Sequence, residues 1–339
     1  MIPQDYDARG NIYTVITPKQ LLDLGISIPL QPEEAARQRH AWAGKAVDRL
    51  CSWPGHMRPA GAKPHRTDGL LVGPFGTSAP YALLIVNTDG SLAERSGNGL
   101  TIFAQSLADR DIAPPGACDL HVHHDSGAMP SPLPTSASAA VYEGAGGWWL
   151  SLGTPQFGPQ AVAADARRIA DSSFNGHDTS RVPRLAEQHP AWTSSQFVRI
   201  GNPHCVTLLR DSNDLPSFAQ LHEPALMAAL TLAAFPGPPG LGAGDPCPAG
   251  VNLQWAAMAG HQHLLARVFE RGEGPTASSG TSASAVASAA WRAGLVGSGV
   301  IRVEMPGGTA PVMLTERDGA LEVQLFGAAR RLPPPEHTV

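Results

Sequence analysis

The chain has little charge, and none of it is arranged to bind a nucleic acid. Charged residues make up 16% of the 339 positions, and 29 acidic residues outnumber 24 basic ones, for a net charge of −5 at pH 7. No run of lysine and arginine supplies the basic patch that nucleic-acid binding requires. The composition therefore predicts that nucleic acids are not partners of this protein.

Long apolar runs and a secretion signal are also missing. No stretch of 18 apolar residues is present to cross a bilayer, so no membrane association is expected. The first residues, MIPQDYDARGN, lack the charged-then-apolar layout of a signal peptide. A cytoplasmic location is the resulting expectation.

Cysteines are few, and they lie far apart in the sequence. The four cysteines are Cys51, Cys118, Cys205 and Cys247. None belongs to a CxxC pair, and in a reducing compartment all four are expected to be free thiols.

The histidine-rich segment at 120–124 is the one stretch that resembles a metal-binding cluster. In it, His121 and His123 alternate with Leu120 and Val122, a pattern typical of a half-exposed strand. Neither the cysteines nor these histidines have the spacing of a metal site, so the sequence predicts no bound metal.

Glycine and proline are abundant instead, with 36 and 32 residues, which favours short strands and few long helices. The β-rich segments predict strands at 11–16, 70–75, 81–86, 195–200, 262–269 and 320–327. Turn-rich segments predict loops at 53–68 and 235–250, and a frayed tail at 334–339.

Two segments have helical periodicity, and each follows a Ser-Gly turn. Apolar residues at i, i+3, i+4 and i+7 predict a helix across 100–107, after the SGNG turn at 96–99. A second helix of small residues is predicted across 282–294, ending at Gly294. Each half thus runs from strands through a Ser-Gly turn into a helix, which indicates an internal duplication with little sequence identity.

Seven short blocks, in order from residue 10 to residue 281, resemble the diaminopimelate epimerase family. The first half carries Gly10-Asn11, the Asn87–Ser91 segment NTDGS and the Glu94–Gly99 segment ERSGNG. The second half carries GNPH at Gly201–His204, GVN at Gly250–Asn252, ERG at Glu270–Gly272 and SGT at Ser279–Thr281. Any one block alone would carry no weight, but their order over so much of the chain makes the resemblance specific.

The resemblance implies an α/β fold of the α+β kind. It consists of two pseudo-symmetric lobes, each a mostly antiparallel curled sheet around a central helix, with the active site in the cleft between the lobes. The N-terminal lobe is expected to hold residues 1–135 with 318–333, the C-terminal lobe residues 136–317, and the tail residues 334–339. The strand 320–327 suits the family's final strand, which usually crosses back to the first lobe.

The resemblance also implies a cofactor-independent isomerase that removes and returns the α-proton of diaminopimelate or a similar amino acid. In the family two cysteines on opposite faces of the substrate do this work, without pyridoxal phosphate and without a metal. A small-molecule amino-acid substrate is then the expected partner, lysine biosynthesis the expected pathway, and a homodimer the suggested assembly.

Eleven positions match the family's substrate-binding residues. Gly97, Asn98, Gly280 and Thr281 begin the two helices, where unpaired N–H groups and the helix dipole favour a carboxylate. Asn11 and His204 match residues that line the site. The residues that match the family's recognition of the distal end of the substrate are Asn87, Asn202, Asn252, Glu270 and Arg271.

Serines occupy the positions of the two catalytic cysteines, at Ser96 and Ser279. A free thiol has a pKa of about 8.5, whereas an aliphatic hydroxyl is a far weaker acid. A helix dipole contributes at most about 2 kcal/mol, which is too little to ionise serine near neutral pH. The two-thiol mechanism therefore cannot operate unchanged.

Three alternatives follow from the serines. A serine could pass a proton with help from a neighbouring base such as His204 or Glu94. The protein could instead isomerise another small carboxylic acid whose C–H is more acidic, or bind an amino acid without chemistry. The further hydroxyls of Ser282 and Ser284 suggest a proton wire beside Ser279.

Overall fold

The structure, a computed structural model, describes residues 3–53, 58–127 and 130–333. The chain divides into two compact units, the first formed by Met1–Ser151 with Phe326–Val339 and the second by Leu152–Leu325. The expected tail at 334–339 lies outside the described residues. The two units are taken in turn below.

The elements of the first part of the chain are β1 (Gln4–Ala8), β2 (Asn11–Ile16), α1 (Pro18–Asp23), α2 (Pro32–Arg37), α3 (Arg39–Leu50), β3 (Gly69–Val72), β4 (Tyr81–Asn87), β5 (Leu92–Ala93), α4 (Gly97–Ala108), β6 (Ala117–Val122), β7 (Leu133–Tyr142) and β8 (Ala145–Gly153). Those that follow are β9 (Gln156–Phe157), β10 (Ala170–Phe174), β11 (His177–Arg181), α5 (Pro183–Ala186), β12 (Ser195–Ile200), β13 (Asn202–Leu209), α6 (Pro224–Ala234), β14 (Asn252–Gly260), β15 (His263–Glu270), β16 (Gly274–Thr276), α7 (Gly280–Arg292), β17 (Gly299–Met305), β18 (Gly308–Arg317), β19 (Ala320–Gly327) and β20 (Arg330–Arg331).

The first unit is built on a sheet in the order β20-β1-β2-β3-β4-β6-β7-β8. Its pairs are antiparallel except for β2–β3 and β4–β6, which are parallel. Each parallel pair is joined by a helical crossover, α1 to α3 for the first and α4 for the second, as parallel strands require.

Alternate residues of this sheet pack on opposite layers of helices. Leu71 and Ile85 face a core shared with Leu100 and Phe103 of α4. Leu70 and Val86 face a second core, which contains buried residues of α1 to α3. The period of two along each strand explains this division. The sequence predicted α4 and its apolar face correctly, but α1 to α3 were not predicted from it.

The second unit repeats this arrangement with the order β12-β13-β14-β15-β17-β18-β19. Its parallel pairs are β13–β14 and β15–β17, and the others are antiparallel. Helix α7 packs on one face of the sheet, and α6 packs on the other. The predicted small-residue helix is thus confirmed, and Gly294 follows its end with a φ of +67°, as the cap requires.

The two units therefore share one topology. The succession β1 to β5, α4 and β6 to β8 corresponds, element by element, to β12 to β16, α7 and β17 to β19. The predicted duplication and the α+β class, with a mostly antiparallel sheet around a central helix in each unit, are confirmed.

The unit boundaries lie elsewhere than at residues 135 and 318. Strand β7 pairs with β6, and β8 pairs with β7, so residues 136–151 complete the first sheet. Residues 320–325 of β19 pair with β18 and stay in the second unit. The chain rejoins the first unit only from Phe326, and β20 then pairs with β1.

Two local predictions need correction. The strand expected at 70–75 ends at Val72, because Pro74 lacks the N–H that would continue the ladder. The histidine segment is a half-exposed strand only as far as Val122, and His123 lies beyond it with 2% of its surface exposed. There, Nδ1 of His123 lies 3.5 Å from a carboxylate oxygen of Glu33.

The remaining strand predictions are confirmed within about one residue, as are the loops at 235–250 and 58–68. Residues 54–57 of the predicted loop at 53–68 lie outside the described residues. The longest helix, α7, has 13 residues. No helix in the described part of the chain is long and apolar enough to span a membrane.

Candidate active site

Ser96 caps the first central helix. Its backbone is extended (φ −142°, ψ 118°), and its hydroxyl oxygen accepts a hydrogen bond from the N–H of Gly99 at 3.1 Å. This is an ordinary N-cap, which satisfies one of the four N–H groups that a helix leaves without an intrahelical partner. The N–H groups of Gly97 and Asn98, in the first turn, belong to the same set.

Amide side chains surround this helix start. The Asn98 carboxamide donates from Nδ2 to Oδ1 of Asn11, which joins α4 to the beginning of β2. Asn87, at the end of β4, donates to the Ser91 hydroxyl at 2.9 Å. That hydroxyl in turn donates to Asp89, whose carboxyl pKa is lowered chiefly by this bond. The structure thus brings Asn11 to Asn98, whereas Asn87 is held within its own turn.

Ser279 caps the second central helix in nearly the same conformation. Its φ is −148° and its ψ 121°, and its oxygen accepts from the N–H of Ser282 at 3.4 Å. Gly280 and Thr281 stand where Gly97 and Asn98 stand in the first helix. A Cβ at Gly280 would lie 2.4 Å from Cδ2 of Leu325, so a larger residue there would require the Leu325 side chain to move.

A carboxylate accompanies Ser279. The Ser279 hydroxyl is hydrogen-bonded to Glu270, at the end of β15, and the Thr276 hydroxyl donates to the same carboxylate at 3.3 Å. Burial raises the pKa of Glu270 above its ordinary value, and the two hydroxyl bonds only partly oppose this. A carboxylate with a raised pKa is a stronger base than a solvated one. Glu270, which was predicted as a substrate-binding residue, is therefore also the base nearest to Ser279.

Asn252, Arg271 and Asn202 lie at neighbouring strand ends in the second unit. Oδ1 of Asn252 accepts from the backbone N–H of Arg271 at 2.9 Å, and the Arg271 guanidinium donates to the Ala249 carbonyl at 3.2 Å. Asn202 begins β13, two residues before His204, which pairs with Asn252 in register. The structure thus places these predicted residues together at the same end of the central strands β13 to β15.

His204 is fully buried, and it is poorly suited to act as a base. Burial, reinforced by the charge of Arg271, lowers the pKa of its imidazole to about 3. Its Nδ1 lies 3.0 Å from Nε2 of Gln254. Since a ring with so low a pKa stays neutral and binds a proton weakly, the hypothesis that His204 helps a serine to lose its proton is not supported.

The hydroxyls along the start of α7 do not form the suggested proton wire. Ser284 donates to the Gly280 carbonyl at 2.9 Å, so its proton is used within the helix. Ser282 is completely buried, and its oxygen accepts from Gln254 at 3.1 Å. Gln254 and Thr276 were not predicted from the sequence. Gln254 lies two residues after Asn252, and this strand spacing is the signal that could have identified it.

The cysteines do not replace the missing thiols. All four are buried and free. Burial raises the thiol pKa of each, to about 11 for Cys51 and Cys118 and to about 12 for Cys247. Such thiols are not thiolates near neutral pH. Within residues 3–53, 58–127 and 130–333, no group of three or more His, Cys, Asp or Glu side chains is arranged to hold a metal ion.

Comparison with known proteins agrees with this description. The sequence model of the diaminopimelate epimerase family matches residues 196–332. Diaminopimelate epimerase 2 of Nostoc is 28% identical over 316 residues, which span 92% of this chain and 87% of the relative. Diaminopimelate epimerase of Pseudomonas syringae is 26% identical over 239 residues, 70% of this chain and 72% of the relative.

A solved structure shows the fold over nearly the whole chain. It is a predicted epimerase from Pseudomonas aeruginosa, with a TM-score of 0.53 and 15% identity, covering 97% of this chain and 96% of that one. The family match, the relatives and the shared topology agree with the seven sequence blocks. The chain is therefore similar in sequence to diaminopimelate epimerases, and it carries Ser96 and Ser279 at the two positions where this resemblance implies cysteines.

Proposed function

We propose that this protein is a cofactor-independent isomerase that removes and returns the α-proton of diaminopimelate or a similar amino acid. The observation that carries the proposal is the hydrogen bond between Ser279 and Glu270, whose pKa is raised by burial. It gives the second helix start a hydroxyl with a base attached, which a serine needs in order to accept a proton from carbon. A place in lysine biosynthesis follows if diaminopimelate is the substrate.

The proton leaves carbon in one concerted step. The Ser279 oxygen takes the proton from Cα while the hydroxyl proton moves to the Glu270 carboxylate, so that no free alkoxide forms. The electron pair of the C–H bond stays on the substrate, where it delocalises into the α-carboxylate. N–H groups at a helix start stabilise that negative charge, and Gly280 and Thr281 supply them beside Ser279.

The return step is assigned to Ser96. Its hydroxyl donates its proton to Cα as it receives one through solvent water, and Glu270 releases the proton it gained to the solvent, so that protons balance over the cycle. The N–H groups of Gly97 and Asn98 support the carboxylate in this step. Substrate recognition is assigned to Asn11, Arg271 and the remaining asparagines. A guanidinium binds a carboxylate with two parallel hydrogen bonds, which suits Arg271 to the distal end of a dicarboxylic amino acid.

The decisive experiment follows deuterium into the substrate. The purified protein is incubated in D2O with LL- and meso-diaminopimelate, and with a panel of amino acids and small carboxylic acids, and α-deuteration and chirality are measured by NMR and chiral chromatography. Deuteration of diaminopimelate with loss of chirality supports the proposal. Deuteration of another acid alone would redirect it to that acid, and binding without deuteration of any compound would refute the catalytic function.

A homodimer, a cytoplasmic location and the lack of a nucleic-acid partner stay predictions from the sequence. Sedimentation of the purified chain tests the first of these directly. Independence from cofactors belongs to the proposal, and it is tested by repeating the D2O experiment after exhaustive dialysis against a metal chelator.

A further inference from the structure

Three polar side chains of the second unit form a buried chain beneath the start of α7. They are His204 on β13, Gln254 on β14 and Ser282 in the first turn of α7, and none has measurable exposure. Nε2 of Gln254 lies 3.0 Å from Nδ1 of His204 and 3.1 Å from the oxygen of Ser282. One carboxamide thus joins two neighbouring strands to the helix.

The strand register explains why these residues meet. His204 pairs with Asn252 in the parallel ladder, and Gln254 is two residues further along the same strand. Residues two apart point to the same side of a sheet, so His204 and Gln254 both face α7, as do Val206 and Ala256. Buried polar groups at such positions are costly unless they are hydrogen-bonded, and Gln254 supplies bonds to both neighbours.

The chain of contacts continues to the proposed catalytic serine. Ser282, whose side chain contacts Gln254, donates its backbone N–H to the oxygen of Ser279. The position of Ser282 therefore determines where its backbone N–H lies, and this N–H orients the Ser279 hydroxyl. Gln254 does not contact Ser279 and acts on it only through this turn.

We propose that Gln254 is a positioning residue that holds His204 in the neutral tautomer protonated at Nε2 and anchors the turn that orients Ser279. The second half of this inference rests on the proposed function. A carboxamide nitrogen only donates, so the Nδ1 atom that receives its bond has no proton, and the ring proton is on Nε2.

The charges around His204 favour the same state. Arg271 and Arg199 are the charged groups that act on the ring, and both disfavour a second proton there. The start of α7 adds partial positive charge on the same side. The bonds to Gln254 and to the Ile200 backbone act in the opposite direction. Neither Nε2 of His204 nor Oε1 of Gln254 has a partner at hydrogen-bond geometry in the described residues. His204 is thus a neutral group that supports the site.

Nitrogen-15 NMR of the histidine rings tests the tautomer without any need for activity. The His204 signals are identified by their loss in a His204→Gln variant. In the wild type, Nδ1 is expected to have the shift of an unprotonated nitrogen and Nε2 that of a protonated one, with no titration between about pH 5 and pH 8. A proton found on Nδ1, which would mean that the carboxamide oxygen faces the ring, overturns the proposal.

The Gln254→Glu variant tests whether Gln254 determines the tautomer of His204. A carboxylate accepts where the carboxamide donated, so the His204 proton is expected on Nδ1, either alone or with a second proton on Nε2. Gln188→Glu, an exposed position of the same unit, is the matched control and should leave the tautomer unchanged. An unaltered His204 spectrum in Gln254→Glu would contradict the role of Gln254.

Gln254→Met, which keeps the volume and removes both bonds, tests the positioning of Ser279. We expect kcat for α-deuteration to fall about tenfold or more with KM little changed, because the substrate-binding residues are intact. An unchanged kcat would overturn the positioning role. If the wild type deuterates no compound while the NMR shows Nε2–H, the proposed function fails and the tautomer assignment stands.

Discussion

The two serine-capped helix starts, Ser96 on α4 and Ser279 on α7, are alike in backbone and different in partners. Their φ and ψ values agree within 6° and 3° (−142° and −148°, 118° and 121°). Each oxygen accepts from the third N–H beyond it. Within its own unit, however, Ser96 precedes Asn98, whose carboxamide bonds to Asn11, whereas Ser279 contacts the carboxylate of Glu270.

The two units share one arrangement of strands and helices, but the side chains around the two serines, and therefore their chemistry, differ. The shared arrangement fixes the hydroxyl and the N–H groups around it, since both follow from capping a helix that crosses between parallel strands. The base comes from a side chain on a neighbouring strand, which can differ between the halves. On this argument Ser279 is the serine that can accept a proton from carbon, and Ser96 is the one that donates.

The strongest test of this asymmetry removes the base and keeps its shape. Glu270→Gln should reduce α-deuteration by about 10² to 10⁴-fold, the usual contribution of a positioned general base. The reason is that the carboxamide can still bond the Ser279 hydroxyl but cannot take its proton. Glu316→Gln, at an exposed position of the same unit, is the matched control and should keep wild-type rates. A Glu270→Gln rate within a few-fold of wild type would remove the distinction between the two serines.

The next test compares the serines themselves. Ser279→Ala should abolish deuteration, whereas Ser96→Ala should still deuterate at Cα and lose inversion, because the acceptor remains while the opposite donor is gone. Chiral analysis of the deuterated product separates the two outcomes. Equal loss of deuteration in both variants would show that the serines act as one unit and not as acceptor and donor. Ser298→Ala, at an exposed position outside both helix starts, serves as the control for loss of a hydroxyl.

The sequence predicted the two central helices and their capping serines well, for a physical reason. The central helices have apolar or small residues at helical spacing directly after their caps, and both signals are local. Helices α1 and α2 escaped prediction because they have only 6 residues each. Helix α3 has 12 residues, as many as α4, but no side chain caps its start, and it packs in a core with Leu70 and Val86 of distant strands. Burial of that kind is a tertiary effect, which a local pattern cannot reveal.

The site was predicted as a set of residue types, and its contacts were not. The motifs identified Ser96, Ser279 and Glu270, but they gave Glu270 only a role in binding substrate. Its bond to Ser279 depends on how β15 ends beside α7, and its basicity depends on burial. The low pKa of His204 has the same origin, since full burial overrides the ordinary titration near neutral pH.

A smaller effect, on the free energy of unfolding, is expected from glycine-to-alanine substitutions at the two helix starts, because the glycines are packed differently. Gly280→Ala brings a Cβ within 2.4 Å of Leu325 Cδ2, whereas in Gly99→Ala the nearest atoms are those of Ser96 at 3.2 Å. Overpacking costs about 1–3 kcal/mol, and the lower end applies to Gly280→Ala because the Leu325 methyl can move. Gly99→Ala should change the free energy of unfolding less. Urea unfolding measures both, and a larger loss for Gly99→Ala would contradict this difference.

The smallest expected effect is on the pH dependence of stability, and it comes from Glu270 at the second helix start. Burial makes the pKa of Glu270 higher in the folded protein than in the unfolded chain, so folding favours the protonated form. This contribution to stability is fully present below the unfolded pKa, and it is lost as the pH rises through the folded pKa. Glu270→Gln cannot ionise and should therefore keep a higher melting temperature than the wild type at pH 7, with the difference shrinking as the pH falls from the folded pKa and vanishing below the unfolded pKa of about 4.3. Thermal unfolding across this range checks it, with Glu316→Gln again as the control. A wild type more stable than Glu270→Gln at pH 7 would mean that the ionised carboxylate is held favourably, and Glu270 would then be a weak base, no better placed than the amides around Ser96.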